Sequence, residues 1–297
     1  FMDRVEAPWR WLERLPRHLA DFADQWRGKT IADLARERVD EDPNFVALVD
    51  DRRDLTRREW LEEAQALANA LHARGFAAGD VVAFQTPNWH EAAIIDLGCA
   101  IAGLVLSPIV PIYRDAEVTM MLGDCRARGL FTCTQFRRYD FAEMADRIRG
   151  DLPNLAHVFT VRGDGPDDFA ALVEGGRSLP AYRPEVDATE VKLVLYTSGT
   201  TGRPKGVLHS HNTLENIVRK SYEHWRIGAG DTLIMPSPVT HVSGYANGLE
   251  SPLIMGTRVV LMESWNAEGA VRLIEKYEVA GTVAATPFLV ELANAAR

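Results

Sequence analysis

The sequence predicts an α/β fold in which stacked, mostly parallel β-sheets are flanked by helices. Apolar strand-like segments alternate with amphipathic helix-like segments along most of the 297 residues. The strand-like segments are apolar throughout, which is typical of parallel strands that are covered on both faces. Hydrophobic residues make up 46% of the chain, which is enough for the core of two domains or of one large α/β domain.

The first half of the chain alternates strand and helix with few interruptions. Short apolar runs predict strands at 45–49, 81–85, 105–109, 130–133 and 158–161. The spacing of apolar residues predicts helices at 31–40, 57–74, 89–103, 116–124 and 141–149. Thr56 and Glu59 have the spacing of a capping box, which marks the start of the second helix. Gly75 follows the end of that helix, as C-terminal glycines commonly do.

The alternation pauses at residues 162–190 and then resumes. This segment is rich in glycine and proline, so we predict a connection made largely of loops. Further strands are predicted at 192–196, 206–209, 232–235, 258–261 and 281–284, and further helices at 212–225, 245–253, 267–278 and 287–296. Asn212 and Glu215 have capping-box spacing at the start of the first of these helices. We expect two sub-sheets, one from residues 52–225 and one from residues 1–50 together with 226–297.

The charge and the hydrophobic pattern of the chain limit the classes of molecule that it is expected to bind. The formal net charge is -9 at pH 7, which argues against binding to nucleic acid or to anionic membranes over a wide surface. The apolar stretch 97–113 is short for a membrane span and contains glycine and proline, so a buried helix followed by a buried strand is predicted instead. We therefore expect no nucleic-acid partner and no membrane span.

The cysteines and the N-terminal region indicate a reducing compartment. Cys99, Cys125 and Cys133 show neither metal-ligand spacing nor a disulfide pattern, which favours the cytoplasm. Charged residues and tryptophans run through residues 1–30, unlike a signal peptide, and we expect Trp9, Trp11 and Trp26 to be packing anchors. The last predicted helix follows a strand with no closing element. An exposed sheet edge of that kind suggests a truncated domain and a possible homodimer.

The chemistry is concentrated between the strands predicted at 192–196 and 206–209. The connecting loop offers hydroxyls, glycines and positive charge together: Thr197, Ser198, Gly199, Thr200, Thr201, Gly202, Arg203, Lys205 and Gly206. Successive backbone N–H groups in such a loop can surround an anion. The spacing differs from the Walker loop, because Lys205 is followed by glycine. Ser198 and Ser243 lack the flanking glycines of a serine-hydrolase elbow. An ordinary polar surface loop is the remaining alternative.

The segment from Tyr196 to Gly206 resembles the phosphate-binding signature of the adenylate-forming superfamily, which includes acyl-CoA synthetases, luciferases and the adenylation domains of peptide synthetases. Further stretches resemble other motifs of that superfamily and cover nearly all of the chain: 55–61, 79–83, 87–88, 102–108 and 236–244. The superfamily's later adenine and magnesium motif, its hinge and its small C-terminal domain do not occur in these 297 residues. The resemblance thus implies an incomplete N-terminal adenylation domain over 1–297, which we expect to be inactive alone.

The resemblance also implies an activity and a site. The activity is ATP-dependent conversion of a carboxylic acid to an acyl-adenylate, followed by transfer to coenzyme A, with Mg²⁺ as the cofactor. The ATP phosphates would contact Thr197, Ser198, Gly199, Thr200, Thr201, Gly202 and Lys205. The acyl pocket would include His241, Val242, Gly244 and Tyr245, with His241 as the catalytic residue. No metal ligand is assigned, and His209 and His211 are interpreted as structural.

The sequence alone leaves several alternatives for the carboxylic acid and for the thiol acceptor. Residues 111–114 and 263–288 resemble ligases for cyclic, aromatic or medium-chain acids, such as cyclohexanecarboxylate. One alternative keeps the adenylation step but loads a carrier-protein thiol in place of coenzyme A. A second alternative is a naturally short, non-catalytic module that binds a nucleotide or a protein partner.

Overall fold

The computed structural model describes residues 23–197 and 204–297. The strands are β1 Val46–Val49, β2 Asp54–Thr56, β3 Val81–Gln85, β4 Val105–Pro108, β5 Gly129–Cys133, β6 Gln135–Phe136, β7 Tyr139–Asp140, β8 His157–Val161, β9 Val191–Thr197, β10 Lys205–Ser210, β11 Thr232–Met235, β12 Arg258–Leu261 and β13 Gly281–Thr282. The predicted strands are all present, with ends that differ by one or two residues from those expected.

Helices separate most of these strands, as predicted. They are α1 Ile31–Glu41, α2 Arg57–Ala73, α3 His90–Ala102, α4 Asp115–Asp124, α5 Phe141–Arg149, α6 Phe169–Arg177, α7 His211–Trp225, α8 Ser251–Met255, α9 Ala267–Tyr277 and α10 Thr286–Ala295. A helical turn at Val242–Gly244 leads into a π-helix at Tyr245–Glu250, which continues into α8. The capping box before α2 is confirmed: the Glu59 N–H donates to Thr56 Oγ1 at 3.3 Å, and the Thr56 N–H donates to Glu59 Oε2 at 2.9 Å.

The larger sheet has the strand order β10-β9-β4-β3-β5-β8. Every neighbouring pair in it is parallel except β9 and β10, which form an antiparallel hairpin. The second sheet has the order β13-β11-β12-β1-β2 and is parallel except where β2 pairs with β1. The predicted fold class of stacked, mostly parallel sheets flanked by helices is therefore confirmed.

The predicted boundary between the sub-sheets needs a correction. The boundary at residue 52 places Asp54–Thr56 in the larger sheet, but these residues form β2 and pair with β1 of the second sheet, with Leu55 opposite Leu48. The short connection between β1 and β2 explains the difference, because a tight turn returns a strand beside the one it has just left.

One hydrophobic core joins the two sheets through α3. Every residue of α3 is buried, and its Ile95 belongs to the same apolar cluster as Leu48 of the second sheet and Leu106 of the larger sheet. The apolar stretch 97–113 forms the end of α3, the buried strand β4 and the loop that follows. Among the residues described, no helix is both long enough and apolar enough to cross a membrane.

Two predictions for helices were wrong. Residues 162–190 contain α6, whose Gly176 was interpreted as a loop signal. A Cβ at Gly176 would lie 1.9 Å from the Ala66 carbonyl oxygen, so this glycine permits close packing of α6 on α2. The cap of α7 is Ser210 with Thr213, whereas Asn212 lies within the helix. Trp26 is half-buried, while Trp9 and Trp11 lie outside the described residues.

Candidate active site

The β9–β10 hairpin carries the two described ends of the predicted phosphate loop. Thr197 pairs directly with Lys205, and both are exposed. Thr197 ends a strand that runs parallel to β4, and ligands of α/β sheets bind beyond the carboxyl ends of such strands. Ser198, Gly199, Thr200, Thr201, Gly202 and Arg203 lie outside the described residues, so their phosphate contacts stay a prediction.

His241 caps the helical turn that precedes the π-helix. Its Nδ1 accepts a hydrogen bond from the Ser243 N–H at 3.5 Å and lies 3.1 Å from Ser243 Oγ. A neutral imidazole whose Nδ1 accepts carries its proton on Nε2. Because the side chain is exposed, this N–H is free to donate to an oxygen of a bound molecule. The predicted site role of His241 is compatible with this geometry.

Gly244 is buried, and its surroundings leave no room for a side chain. A Cβ at this position would lie 2.0 Å from the Pro238 carbonyl oxygen and 2.7 Å from that of Ser237. The side of Gly244 where a side chain would stand is therefore filled by the backbone of the preceding loop. Neighbouring Val242 is 47% exposed and lines a cavity together with Tyr245.

Tyr245 lines that cavity, and its hydroxyl belongs to a buried ionic cluster. The hydroxyl accepts a hydrogen bond from Lys192 Nζ at 2.6 Å and donates to Asp96 Oδ1. Lys192 Nζ also donates to Asp96 Oδ1 and to Glu250 Oε1, each at 2.6 Å. All four side chains are almost completely buried. Burial raises the pKa of Glu250 to about 7, while Lys192 opposes that shift.

A cavity of about 180 Å³ separates the β9–β10 hairpin from the segment that begins at His241. Its walls are mainly apolar, and they come from β9, β10, α7 and the start of the π-helix. The lining includes Leu195, His209, Leu214, Val218, Val242 and Tyr245. The strand that leads into the predicted phosphate loop therefore shares one cavity with the predicted acyl-pocket segment.

The two histidines of β10 and α7 have different environments. His211 is buried, and its Nδ1 accepts the Ile31 N–H at 3.1 Å. Burial, followed by the charge of Lys192, lowers the pKa of His211 to about 3, which keeps the ring neutral. His209 is half-buried at the wall of the cavity. His211 therefore has the structural role that we expected, whereas His209 faces a space that a ligand could enter.

One group of side chains among the described residues has the proximity needed for a metal site. Ligand atoms of Asp50, His90 and Glu91 lie within 4.8 Å of one another. Arg162 already neutralises this group: its Nε lies 2.7 Å from Glu91 Oε1, and its Nη2 lies 3.2 Å from Asp50 Oδ2. Burial tends to raise the pKa of Asp50, but hydrogen bonds from His90 outweigh it and lower the pKa. We interpret the group as an ion-pair network that holds β1, α3 and β8 together.

A larger cavity of about 490 Å³ lies where loops that follow strands of both sheets meet. Its lining combines apolar side chains with Asn88, Arg114, Arg137 and Glu263. Arg114 lies over the ring of Tyr139, with 3.9 Å between its guanidinium carbon and the ring centre. This cavity offers room and positive charge for a second substrate. Its lining includes Pro111, Ile112 and Arg114 from the stretch 111–114, and Glu263 and Phe288 from the stretch 263–288.

The buried cluster and the position of His209 on a cavity wall were not predicted from the sequence. A lysine in the apolar strand β9 and an aspartate in the wholly buried helix α3 were the available signals, because buried charges need partners. Neither signal identifies which residues are the partners.

The two mostly parallel sheets, with cavities near the ends of their strands, define an α/β fold of the class that binds ligands at this edge. Residues 35–297 match the family model described as "AMP-binding enzyme". The chain therefore belongs to the AMP-binding enzyme family, and the predicted superfamily is confirmed.

Individual relatives agree with this assignment. The chain is 29% identical over 274 residues to the medium-chain fatty-acid–CoA ligase of Escherichia coli K12, and the match covers 91% of this chain and 48% of the ligase. The chain thus spans about half the length of that relative.

Solved structures show the same fold. The apo structure of MbtA from Mycobacterium smegmatis has a TM-score of 0.83 and 26% identity, covering 95% of this chain and 53% of that one. The inhibitor-bound N-terminal domain of FACL13 from Mycobacterium tuberculosis has a TM-score of 0.78 and 26% identity, covering 91% of this chain and 67% of that domain.

Proposed function

We propose that this chain forms part of an enzyme that uses ATP to activate a carboxylic acid as an acyl-adenylate and then forms a thioester with coenzyme A. The observation that carries the proposal is the shared cavity between the β9–β10 hairpin and the His241 segment. This cavity, called the acyl cavity below, would hold an acyl group beside the loop that we expect to hold phosphates. The similarity to a fatty-acid–CoA ligase supports the same function.

The phosphates of ATP would lie beyond the end of β9. Lys205 supplies a positive charge, and Thr197 supplies a hydroxyl donor on the opposite strand. Nucleotidyl transfer depends chiefly on positioning and on neutralising charge, and both groups can serve that purpose. Mg²⁺ would supply further neutralisation of the phosphates. The group formed by Asp50, His90 and Glu91 is engaged by Arg162, so we assign none of these residues to the ion.

The first step joins the acid to the nucleotide. A carboxylate oxygen attacks the α-phosphorus of ATP, the new O–P bond forms, and the bond to the β-phosphate oxygen breaks to release pyrophosphate. The His241 Nε2–H would donate a hydrogen bond to an oxygen of the carboxylate or the α-phosphate as charge redistributes. In the second step a thiolate attacks the acyl carbon, and AMP leaves with the electron pair of the C–O bond.

The dimensions of the acyl cavity favour a small or medium acyl group. Its volume of about 180 Å³ is below the range of roughly 300–1,000 Å³ that is usual for drug-sized ligands. Its apolar walls suit a ring or a short chain. This supports a cyclic, aromatic or medium-chain acid, with cyclohexanecarboxylate as one example.

We propose that the thiol acceptor approaches through the larger cavity. Arg114 and Arg137 on its lining could contact an anionic phosphate of coenzyme A. A carrier-protein thiol would be the acceptor under the alternative function. The three cysteines are free and buried, which fits a reducing compartment such as the cytoplasm.

The experiment uses the full-length protein and a panel of carboxylic acids. We expect exchange of labelled pyrophosphate into ATP that depends on the acid, followed by AMP formation when coenzyme A is added. Hydrolysis of ATP to phosphate without any acid would contradict the proposal. Exchange that is followed by transfer to a phosphopantetheinylated carrier, but not to coenzyme A, would favour the alternative acceptor.

A further inference from the structure

The acyl cavity has mainly apolar walls, but four polar residues also line it: His209, Ser221, Ser243 and Asn247. His209 belongs to β10 and lines the cavity together with the apolar side chains of Leu195, Leu214 and Val218. A neutral imidazole has one N–H donor and one nitrogen acceptor. When such a group is placed beside an apolar ligand it loses hydrogen bonds to water without replacing them, which weakens binding.

The ring of His209 has no compensating partner in the parts of the chain that the structure describes. Within those parts, burial is the only influence that shifts its pKa, and it lowers it, with no neighbouring charge or hydrogen bond acting on the ring. His211, two residues later, differs in this respect because its ring accepts the Ile31 N–H. His209 is therefore a half-buried ring on the cavity wall that has no hydrogen bond to any residue in the described ranges 23–197 and 204–297.

Two of the other polar residues that line the cavity, Ser243 and Asn247, take part in hydrogen bonds. Ser243 Oγ contacts the His241 ring at 3.1 Å, and Asn247 Nδ2 donates to the Ser243 carbonyl oxygen at 2.7 Å. These contacts stabilise the turn that carries His241. His209 comes from the opposite side, from the strand paired with β9, and is thus separate from the groups that would handle the carboxylate.

From this geometry we propose that His209 is a specificity-determining residue, and that the acid activated by this enzyme carries a hydroxyl or oxo group on its otherwise apolar body. The inference rests on the proposed function and names the substrate class of the same site. The carboxylate lies toward His241, the apolar body fills the cavity, and the polar substituent exchanges a hydrogen bond with the His209 ring. A site built around such a hydrogen bond discriminates strongly against the analogue that lacks it.

The test compares matched acids in the full-length enzyme. The pairs are benzoate with its three monohydroxy isomers, cyclohexanecarboxylate with its hydroxy and oxo derivatives, and hexanoate with its terminally hydroxylated form. The measured quantity is kcat/KM for acid-dependent pyrophosphate exchange. We expect at least one substituted acid to exceed its parent by about tenfold or more, which is the order of one hydrogen bond in a desolvated site.

Three variants test whether His209 causes this preference. His209→Leu is expected to reduce the ratio of substituted to parent acid by about tenfold, and His209→Gln, which keeps a donor and an acceptor, is expected to retain most of it. His224→Leu is the matched control, because His224 is an exposed histidine at the end of α7 and does not line the cavity; it is expected to keep the ratio. Circular dichroism and melting curves establish that each variant is folded.

The outcomes separate this inference from the function on which it rests. If no acid of either kind supports exchange, the proposed function itself is contradicted. If parent acids are activated as well as substituted ones, or if His209→Leu leaves the ratio as it was, the inference about His209 is overturned and the acid-activating function stands. Loss of the ratio in His224→Leu as well would also overturn it.

Discussion

Lys192 Nζ lies 2.6 Å from Glu250 Oε1, and both side chains are excluded from solvent. Lys192 Nζ also contacts the Tyr245 hydroxyl, so Tyr245 and Glu250 must lie on the same side of their helix. These two residues are five positions apart, and a π-helix allows this arrangement. On an α-helix, residues five apart point about 140° away from each other. A π-helix bonds residue i to i+5 and brings them onto one side. The unusual helix and the buried lysine thus depend on each other.

Lys192→Met should strongly destabilise the fold. The substitution leaves the carboxylates of Asp96 and Glu250 buried without their cation, and loss of one partner from a buried ion pair costs about 3–5 kcal/mol. The measurement is the apparent free energy of unfolding of the full-length protein in urea. Lys29→Met removes a partly exposed pair with Glu37 and should cost less than about 1 kcal/mol. Equal stability of Lys192→Met and the wild type would contradict the role of the cluster.

Glu250 should make stability depend on pH. Burial raises its folded-state pKa to about 7 from an ordinary value of 4.5, so the folded state holds a proton that the unfolded state releases. Stability from this group is therefore greatest below about pH 4.5 and declines as the pH rises toward 7. Melting temperatures measured from pH 5 to 8 should show a component of this sign that Glu250→Gln removes. An unaltered pH profile in that variant would refute the assignment.

Gly244→Ala should disrupt the turn at His241. The new Cβ would meet the Pro238 carbonyl oxygen at 2.0 Å, and forced overpacking costs about 1–3 kcal/mol. Gly228→Ala is the control, since a Cβ added there would have no other atom within 4 Å, and it should change stability by less than about 0.5 kcal/mol. Thermal melts of both variants make the comparison. Similar melting temperatures for the two would show that the loop relaxes freely.

Lys205→Ala should weaken the use of ATP more than the binding of the acid. Removing a phosphate-contacting charge should lower kcat/KM for ATP by about 10- to 100-fold, because hydrogen bonds to charged groups contribute about 1.5–3 kcal/mol. The assay is acid-dependent pyrophosphate exchange with ATP varied. Lys220→Ala, at an exposed position on α7, provides the comparison. If both variants behave alike, the end of the β9–β10 hairpin does not contact the phosphates.

Substitutions of His241 should separate helix capping from chemistry. His241→Asn keeps a side chain that caps helices well but lacks the Nε2–H, so we expect near wild-type stability and kcat for exchange reduced by about 100-fold. His241→Ala should lose both properties. Melting curves and exchange kinetics at saturating ATP distinguish the two effects. Full activity of the asparagine variant would exclude the proposed hydrogen bond to the reacting groups.

Local sequence patterns were sufficient to predict the alternation of strands and helices, and they are the basis for the proposed phosphate loop between β9 and β10. The patterns are apolar runs, the Thr56–Glu59 capping box, and a cluster of hydroxyls and glycines between two strands. Such signals lie within a few residues of one another, so they are readable without the fold. The glycines misled where their purpose was long-range packing, as at Gly176 against the Ala66 carbonyl.

Contacts between residues far apart in the chain became visible only once the elements were packed together. Tyr245 is 149 positions from Asp96 and 53 from Lys192, and His209 reaches the acyl cavity because β10 folds back on β9 beside the π-helix. A charged residue within an apolar segment of the sequence indicates that it will need a partner. The packing of the sheets and helices determines which residue that partner is. That packing minimises exposed apolar surface over the whole chain, and no short segment contains the information.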